Sequence, residues 1–495
     1  MQALPIALYR AAQVRELDRI AIQERGIPGY TLMSRAGATA FAALQERWPQ
    51  TRRVVVVCGG GNNGGDGYVV ARLAHQAGLD TQVLTLSEPT RLENDALTAF
   101  QDAQAAGVAI QPFAAERLAG ADVIVDAILG TGLEREVSGV WRDAIKAINS
   151  RSAGILAIDI PSGLQADCGA IMGLAIHADL TITFIGLKQG LFTGQGPGCC
   201  GTILFDDLQA PPDIYSRIHT ATQRYTGVDL PELLPRRPRS AHKGHHGHVL
   251  VVGGELGMAG AARMAAEAAA RCGAGLVSVA TRQIHAVAQA AARPELMFRG
   301  VEDIAELGEL MARAGVVAVG PGLGRGEWGQ AMLQFVLDSD LPLVVDADAL
   351  NLLAENPVMR DNWVLTPHPG EAARLLQMTS AQVEADRFTA VSELALRFGG
   401  VCVLKGAGSL IAQQQEGIAV CNSGNPGMAT GGMGDVLTGI ITGLLAQGLT
   451  PWQAARTGVY LHGCAGDRAA AGGERGLLAM DLLPFLQELV NPTNP

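Results

Sequence analysis

The run Asn62-Asn63-Gly64-Gly65-Asp66 sets two amides and a carboxylate around a pair of glycines, directly after the apolar stretch Val54–Cys58. Gly59, Gly61 and Gly64 satisfy the G-x-G-x-x-G spacing of a dinucleotide turn, but that spacing alone is a weak signal. The amides and carboxylate are what separate this turn from an ordinary one, because such turns normally carry small residues. Two more carboxylates close apolar runs: Asp126 precedes AILGTGLERE, and Asp159 precedes IPSGL with its hydroxyl at Ser162. A lone carboxylate at a strand end is often only a helix cap. Several oxygen-bearing strand ends on one rim instead suit a hard cation, and the Gly130-Thr131-Gly132 turn offers backbone N–H groups to phosphate. Asp159 is the candidate general acid/base. Lys188, in GLKQG, either assists it or lays its stem along the sheet.

The second half repeats the logic with other residues. Lys405 ends the run VCVL and is followed by Gly406, Ala407, Gly408 and Ser409, a compact cation beside small residues that suits a nucleotide phosphate. Gly431, Gly432 and Gly434 lead into a helix expected near Asp435–Ala446. Glycines there let backbone N–H groups and the helix dipole face a transferring phosphoryl group, and Asp435 stands where it can accept a hydroxyl proton. His368 sits in the Pro-bracketed turn TPHPGE, as a ligand contact or a structural histidine. The cluster His242, His245, His246 and His248 fits no standard structural zinc spacing and reads as a solvated lead-in to a strand.

Strands must position these groups. Short β-branched runs recur at Val54–Val57, Thr81–Leu86, Val123–Val125, Ile155–Ile158 and Leu180–Phe184, each followed by a turn and an Ala/Leu-rich stretch. A second series runs through Val249–Val252, Leu276–Ala280, Val316–Val319, Leu343–Val345, Val364–Leu365 and Val401–Leu404. Continuous apolar strands alternating with helices predict α/β domains with parallel sheets covered on both faces. Between the series, Phe205 to His242 carries Pro231, Pro235 and Pro238 among Arg236, Arg237 and Arg239, and reads as the connection. At 495 residues the chain exceeds one ordinary core, so two domains are expected, 1–225 and 226–495.

The net charge is −11 with no basic stripe, which argues against a nucleic-acid partner. No run is apolar for long enough to predict a membrane span, and no secretory h-region precedes the first domain. The eight cysteines contain no C-x-x-C pair, so reduced thiols in the cytoplasm are the simplest expectation.

NNGGDGYVVARLA, DAILGTGL, AIDIPSGL and TFIGLKQGLFTGQGPGCCG, in that order over most of residues 10–215, resemble the NAD(P)H-hydrate epimerase family. The resemblance implies a Rossmann-like three-layer domain that interconverts the R and S hydrates. It implies potassium on Asn63, Asp126 and Ser162. It implies that Asn62, Asn63, Gly64, Gly65 and Asp66, then Gly130, Thr131, Gly132, Leu133, Glu134, Arg135 and Glu136, and Asp159, contact the hydrated dinucleotide. GMAGAA, GPGLG, TPHPGE, KGAGS and GMGD, over roughly 225–490, resemble the ADP-dependent NAD(P)H-hydrate dehydratase family. That implies a ribokinase-like α/β domain. Lys405, Gly406, Ala407, Gly408, Ser409 and Gly434 would bind the adenine nucleotide, while Ala261, Gly322, His368 and Asp435 would contact the hydrate. Ser409 stands where the family commonly has Thr, and both supply a hydroxyl.

The implied chemistry is repair of hydrated NADH and NADPH (NADHX and NADPHX). ADP, with Mg2+, would phosphorylate the S-hydrate's hydroxyl, Asp435 acting as base, and the ring nitrogen would then expel phosphate. The expected assembly is a homo-oligomer, a tetramer among the candidates. GMGD alone also fits a hydroxymethylpyrimidine- or sugar-type kinase carrying a nucleotide-binding N-terminal module.

Overall fold

The computed structural model describes residues 3–492. The chain divides into two compact units, Met1–Gln223 and Arg224–Pro495.

In the first unit the strands are β1 (Arg53–Cys58), β2 (Asp80–Thr85), β3 (Ala109–Pro112), β4 (Val123–Ala127), β5 (Gly154–Ile158), β6 (Leu180–Phe184) and β7 (Thr202–Asp206). They form one sheet in the order β3-β2-β1-β4-β5-β6-β7, and every pairing is parallel. The order reverses between β1 and β4, where doubly wound sheets open a ligand crevice. The unbroken apolar reading of β1 has a direct cause. Val54, Val56 and Cys58 enter one buried cluster, while Val55 and Val57 enter another, so both faces are covered. Helix α1 (Ala11–Arg19), α2 (Gly29–Arg47), α3 (Asn62–Gln76) and α4 (Gly139–Asn149) matter most for the site.

The second unit's sheet comprises β8 (Thr222–Arg224, at the junction), β9 (His248–Val252), β10 (Leu276–Thr281), β11 (Met297–Gly300), β12 (Val316–Val319), β13 (Leu343–Val345), β14 (Trp363–Leu365), β15 (Val401–Leu404), β16 (Ser409–Gln413) and β17 (Gly417–Cys421). Their order is β8-β17-β16-β15-β14-β13-β12-β9-β10-β11. The sequence predicts a parallel sheet, and β9 to β15 obey, but β15, β16 and β17 pair antiparallel. The turn at Gly406–Gly408 reverses the chain, and the short polar segment after Gln413 reverses it again. Helices α5 (Ala259–Arg271), α7 (Met433–Ala446) and α8 (Pro451–Ala469) pack on this sheet, and α6 (Pro369–Leu376) follows β14.

Candidate active sites

Most of the predicted groups of the first unit gather at the carboxyl edge of its sheet, on a cavity of about 700 Å³. Asn62, Asn63, Asp66, Gly130 to Arg135, Asp159 and Lys188 all line it. Asp159 follows β5 with φ +67°, a left-handed conformation that costs a non-glycine residue energy and recurs at functional positions. Its Oδ1 accepts hydrogen bonds from Lys188 Nζ, from Thr183 Oγ1 at 3.3 Å and from the Phe184 N–H at 3.3 Å. Lys188 is only 1% exposed, so its head is not snorkelling to water. It also donates to Thr183 Oγ1 at 2.9 Å and to the Phe184 carbonyl at 3.1 Å. The short parallel pairing of Leu8–Tyr9 with Leu187–Lys188 fixes its backbone.

Two further carboxyls face this ion pair. Asp66, in the first turn of α3, is pushed well above the usual carboxyl range by burial and by its neighbours Asp159 and Asp18. Asp18, on α1, also lines the cavity, and burial raises it to about 6 against the pull of Lys188. Among the described residues no hydrogen bond to either carboxyl offsets the shift, so Asp66 favours the protonated form and Asp18, at about 6, keeps a protonated fraction near neutral pH.

Behind the cavity wall lies an oxygen cluster. Asp126 and Ser162 are fully buried. Ser162 donates its backbone N–H to Asp126 Oδ2 at 2.8 Å and its hydroxyl to Asp126 Oδ1 at 2.6 Å. Asn63 Nδ2 donates to the Leu129 carbonyl at 3.1 Å, while Asn63 Oδ1 is buried with no donor among the described residues. An orphaned amide oxygen beside a buried carboxylate fits an oxygen-liganded cation.

Three predicted contacts fall outside the cavity. Gly64 and Gly65 point into packing: a Cβ on Gly64 would stand 2.2 Å from the Gly59 carbonyl oxygen, and one on Gly65 would stand 2.7 Å from Met33 Sδ. The tight turn needs these glycines so that α3 can lie against β1 and α2. Glu136 is exposed in an irregular segment beyond the lining residues. The sequence also places Asn62–Asp66 in a loop, whereas they form the first turn of α3.

In the second unit Lys405 follows β15 and donates to Asp346 Oδ1 at 2.7 Å, with Glu371 Oε2 at 3.8 Å. Thr438 Oγ1 donates to Asp346 Oδ2 at 2.9 Å. Burial opposes ionisation of Asp346, but the Lys405 ammonium outweighs it and holds this carboxyl below its usual range. The effect on Lys405 is reciprocal: burial lowers it, and Asp346 and Glu371 together hold it above the ordinary lysine value. Asp435 is raised to about 7 by burial and by the nearby Asp346 and Asp348, against the pull of Lys405. Glu371 also reaches about 7, chiefly through burial.

The residues around this cluster follow from local geometry. Helix α7 begins after Gly432, whose φ of +92° requires glycine, and its start has no side-chain cap. Its first-turn N–H groups are therefore left for a ligand. A Cβ on Gly434 would lie 3.2 Å from Lys405 Nζ, so glycine leaves room beside the ammonium. Ser409 Oγ donates to the Gly406 carbonyl at 3.1 Å, closing the turn after Lys405. His368 caps α6, its Nδ1 accepting from the Gly370 N–H at 2.9 Å, while its side chain stays 52% exposed. A Cβ on Gly322, which has φ +59°, would stand 3.2 Å from Ala261 Cβ, so these distant positions meet. The histidines at 242, 245 and 246 lie in and beside a short turn before β9, and among the described residues no cluster of three or more His, Cys, Asp or Glu could hold a metal.

Relatives match along the whole chain. The bifunctional NAD(P)H-hydrate repair enzyme Nnr of Coxiella burnetii (strain RSA 493 / Nine Mile phase I) is 50% identical over 486 residues, covering 98% of this chain and 99% of its own. The chain belongs to the bifunctional NAD(P)H-hydrate repair enzymes. The protein of the same name from Escherichia coli (strain K12) is 46% identical over 492 residues, covering 99% and 95% of the two chains. Two family profiles divide the length: YjeF-related protein N-terminus over 29–190, and NAD(P)H-hydrate dehydratase over 249–488. A solved ribokinase-like superfamily protein from Enterococcus faecalis V583 superposes with a TM-score of 0.51 at 31% identity, covering 55% of this chain and 96% of its own. Family membership over both units sets aside the vitamin- or sugar-kinase reading of GMGD.

Asp18, Asp346, Glu371 and Thr438 are the residues of the two sites that sequence reasoning missed. A signal existed for Asp346: it ends the apolar run LVV as Asp126 ends VIV. Thr438 and Asp18 gave none, because a threonine or aspartate on a helix is ordinary until the fold shows what it faces.

Proposed function

We propose that this chain repairs hydrated NADH and NADPH, its first unit interconverting the R and S hydrates and its second dehydrating the S form at the expense of ADP. The supporting observation is the pair of carboxylate–lysine centres at the carboxyl ends of both sheets, Asp159–Lys188 and Asp346–Lys405, each beside a glycine-rich helix start.

In the first unit, the hydroxyl must leave a ring carbon with help from the adjacent nitrogen, and water must add to the opposite face. One group protonates the departing hydroxyl while another takes a proton from the incoming water. Asp159, held by Lys188, acts as the base; Asp66, favouring its protonated form, supplies the proton, with Asp18, poised at about 6, beside it. Asn63, Asp126 and Ser162 would hold potassium, which supplies fixed positive charge near the dinucleotide's phosphates.

In the second unit the S-hydrate's hydroxyl attacks the terminal phosphorus of ADP, Asp435 accepts its proton, and AMP departs. The ring nitrogen then expels phosphate, and loss of a proton from the neighbouring carbon restores NAD(P)H. Lys405 and the first turn of α7 steady the transferred phosphoryl group. Gly406, Ala407, Gly408, Ser409 and Gly434 cradle the nucleotide, and Ala261, Gly322 and His368 border the hydrate. Magnesium, arriving on the phosphates, would neutralise their charge. This fits a site whose acids lean on Lys405 instead of forming a metal cage. With six of its cysteines buried as thiols, the enzyme suits the reducing cytoplasm.

Purified protein given mixed NADHX epimers should exchange them without ADP, and should form NADH, AMP and phosphate with it. Asp159→Ala should abolish exchange with its circular dichroism spectrum unchanged, and Asp435→Asn should abolish dehydration alone. Wild-type exchange in Asp159→Ala, or equal loss of both activities in Asp435→Asn, would overturn these assignments.

A further inference from the structure

The first unit has a second cavity, of about 630 Å³, beside the one that holds Asp159. It lies at the carboxyl ends of β2 and β3, where Thr85 and Pro112 line it. The strand order β3-β2-β1-β4-β5 puts it on the opposite side of the Gly-rich turn from Asp159. The two cavities share Gly60, Ser87 and Trp141. At this neck glycine is needed, since a Cβ on Gly60 would stand 2.9 Å from Ser87 Oγ. Crossing from β5 to β2 or β3 takes three or four inter-strand steps of about 4.8 Å each, which matches the reach of an extended dinucleotide.

The lining has two characters. Phe113, Val140 and Trp141 offer apolar faces, and Val140 leaves 46% of its surface uncovered. Ser87, Arg91 and Gln111 bring polar groups to the same space. An apolar slot edged by a few donors and acceptors suits a purine nucleoside. The substrate has one such half. Its pyrophosphate would cross the neck, where α3 begins at Asn62 after Gly61 with no side-chain cap.

We propose that this second cavity is the adenosine subsite of the first unit, taking the purine nucleoside half of the hydrated dinucleotide while Asp159 and Lys188 act on the nicotinamide half. This rests on the epimerase reading of the Asp159 cavity. It makes the unit a two-cavity clamp in which binding at one end positions the other.

The test compares epimer exchange by the full chain, without ADP, on hydrated NADH and on hydrated nicotinamide mononucleotide in its reduced form, which lacks the adenosine half. Phe113→Ala removes an apolar face and Val140→Arg fills the slot from an exposed position. Both should raise KM for the dinucleotide about tenfold, towards that of the mononucleotide, with kcat and the mononucleotide's kinetics unchanged. Thermal unfolding checks that each variant is folded. An unchanged dinucleotide KM in folded Val140→Arg overturns the subsite, as does an equal loss on both substrates, which would make these residues supports of the Asp159 cavity. No exchange of either substrate by the wild type would instead remove the epimerase reading itself, and the subsite with it.

Discussion

Asp435 shows how one carboxyl joins activity to stability. Burial and its acidic neighbours raise it to about 7, so it resists ionisation where a base must be ionised. Dehydration should therefore climb with pH through about 7, with Asp346, Asp348, Glu371 and Lys405 as the charges that set the midpoint. The stability consequence has the opposite sign. A carboxyl whose folded value exceeds its unfolded one contributes fully below about 3.9, and the contribution is lost as pH rises through about 7. Asp435→Asn escapes that loss. Its second unit should melt higher than wild type at pH 8, by a few degrees, with the gap closing towards pH 4. Calorimetry at the two pH values reads this directly, and a gap that does not shrink on acidification would show that Asp435 is not the strained group.

Among elements, α7 is held to α5 by the absence of side chains. A Cβ on Gly439 would stand 2.0 Å from the Ala265 carbonyl oxygen, and one on Gly443 would stand 2.7 Å from that of Ala269. Backbones this close leave the helix no freedom to slide, and its first turn carries Gly434 and Asp435 to Lys405. Gly439→Val should push the helices apart, lower stability by about 1–3 kcal/mol or more, and cut dehydration, leaving epimer exchange intact. Thermal melts with both assays check it. Full dehydration in a destabilised variant would show that the site tolerates displacement of α7. In the first unit the analogous fixing is done by Lys188, pinned by backbone pairing at Leu187–Lys188 and by its ion pair to Asp159.

Across the whole molecule, two separately cored units carry two centres. Their activities should fail separately, as the Asp159 and Asp435 variants test. Six of the eight cysteines are buried, and burial raises the thiols of Cys58, Cys200, Cys272, Cys402 and Cys421, which keeps them protonated and unreactive. Thiol titration of the denatured, unreduced protein should return eight groups, and reductant should leave the melting temperature unchanged. A smaller titre would reveal a disulfide and contradict the reducing-compartment reading. No helix among the described residues is long and apolar enough to cross a membrane.

The sequence alone determined the strands at both sheets' centres, because residues buried on both faces must be apolar without interruption, and it marked Asp126, Asp159 and Lys405 because polar groups ending such runs stand out. It also carried the glycines before Asp435, since left-handed backbone and close approach leave few other choices. The half-exposed strands Ala109–Pro112 and Met297–Gly300 and the antiparallel pair after Lys405 were not legible, since their patterns are short and broken. Only the tertiary structure decided what each polar group faces. It buried Lys188 against Asp159, brought Asp18 and Asp66 to the same cavity, paired Asp346 with Lys405, and turned Gly64 and Gly65 into packing. The reason is physical: a residue's type fixes the proton or charge it can carry, whereas its partners and solvation come from segments far away in the chain.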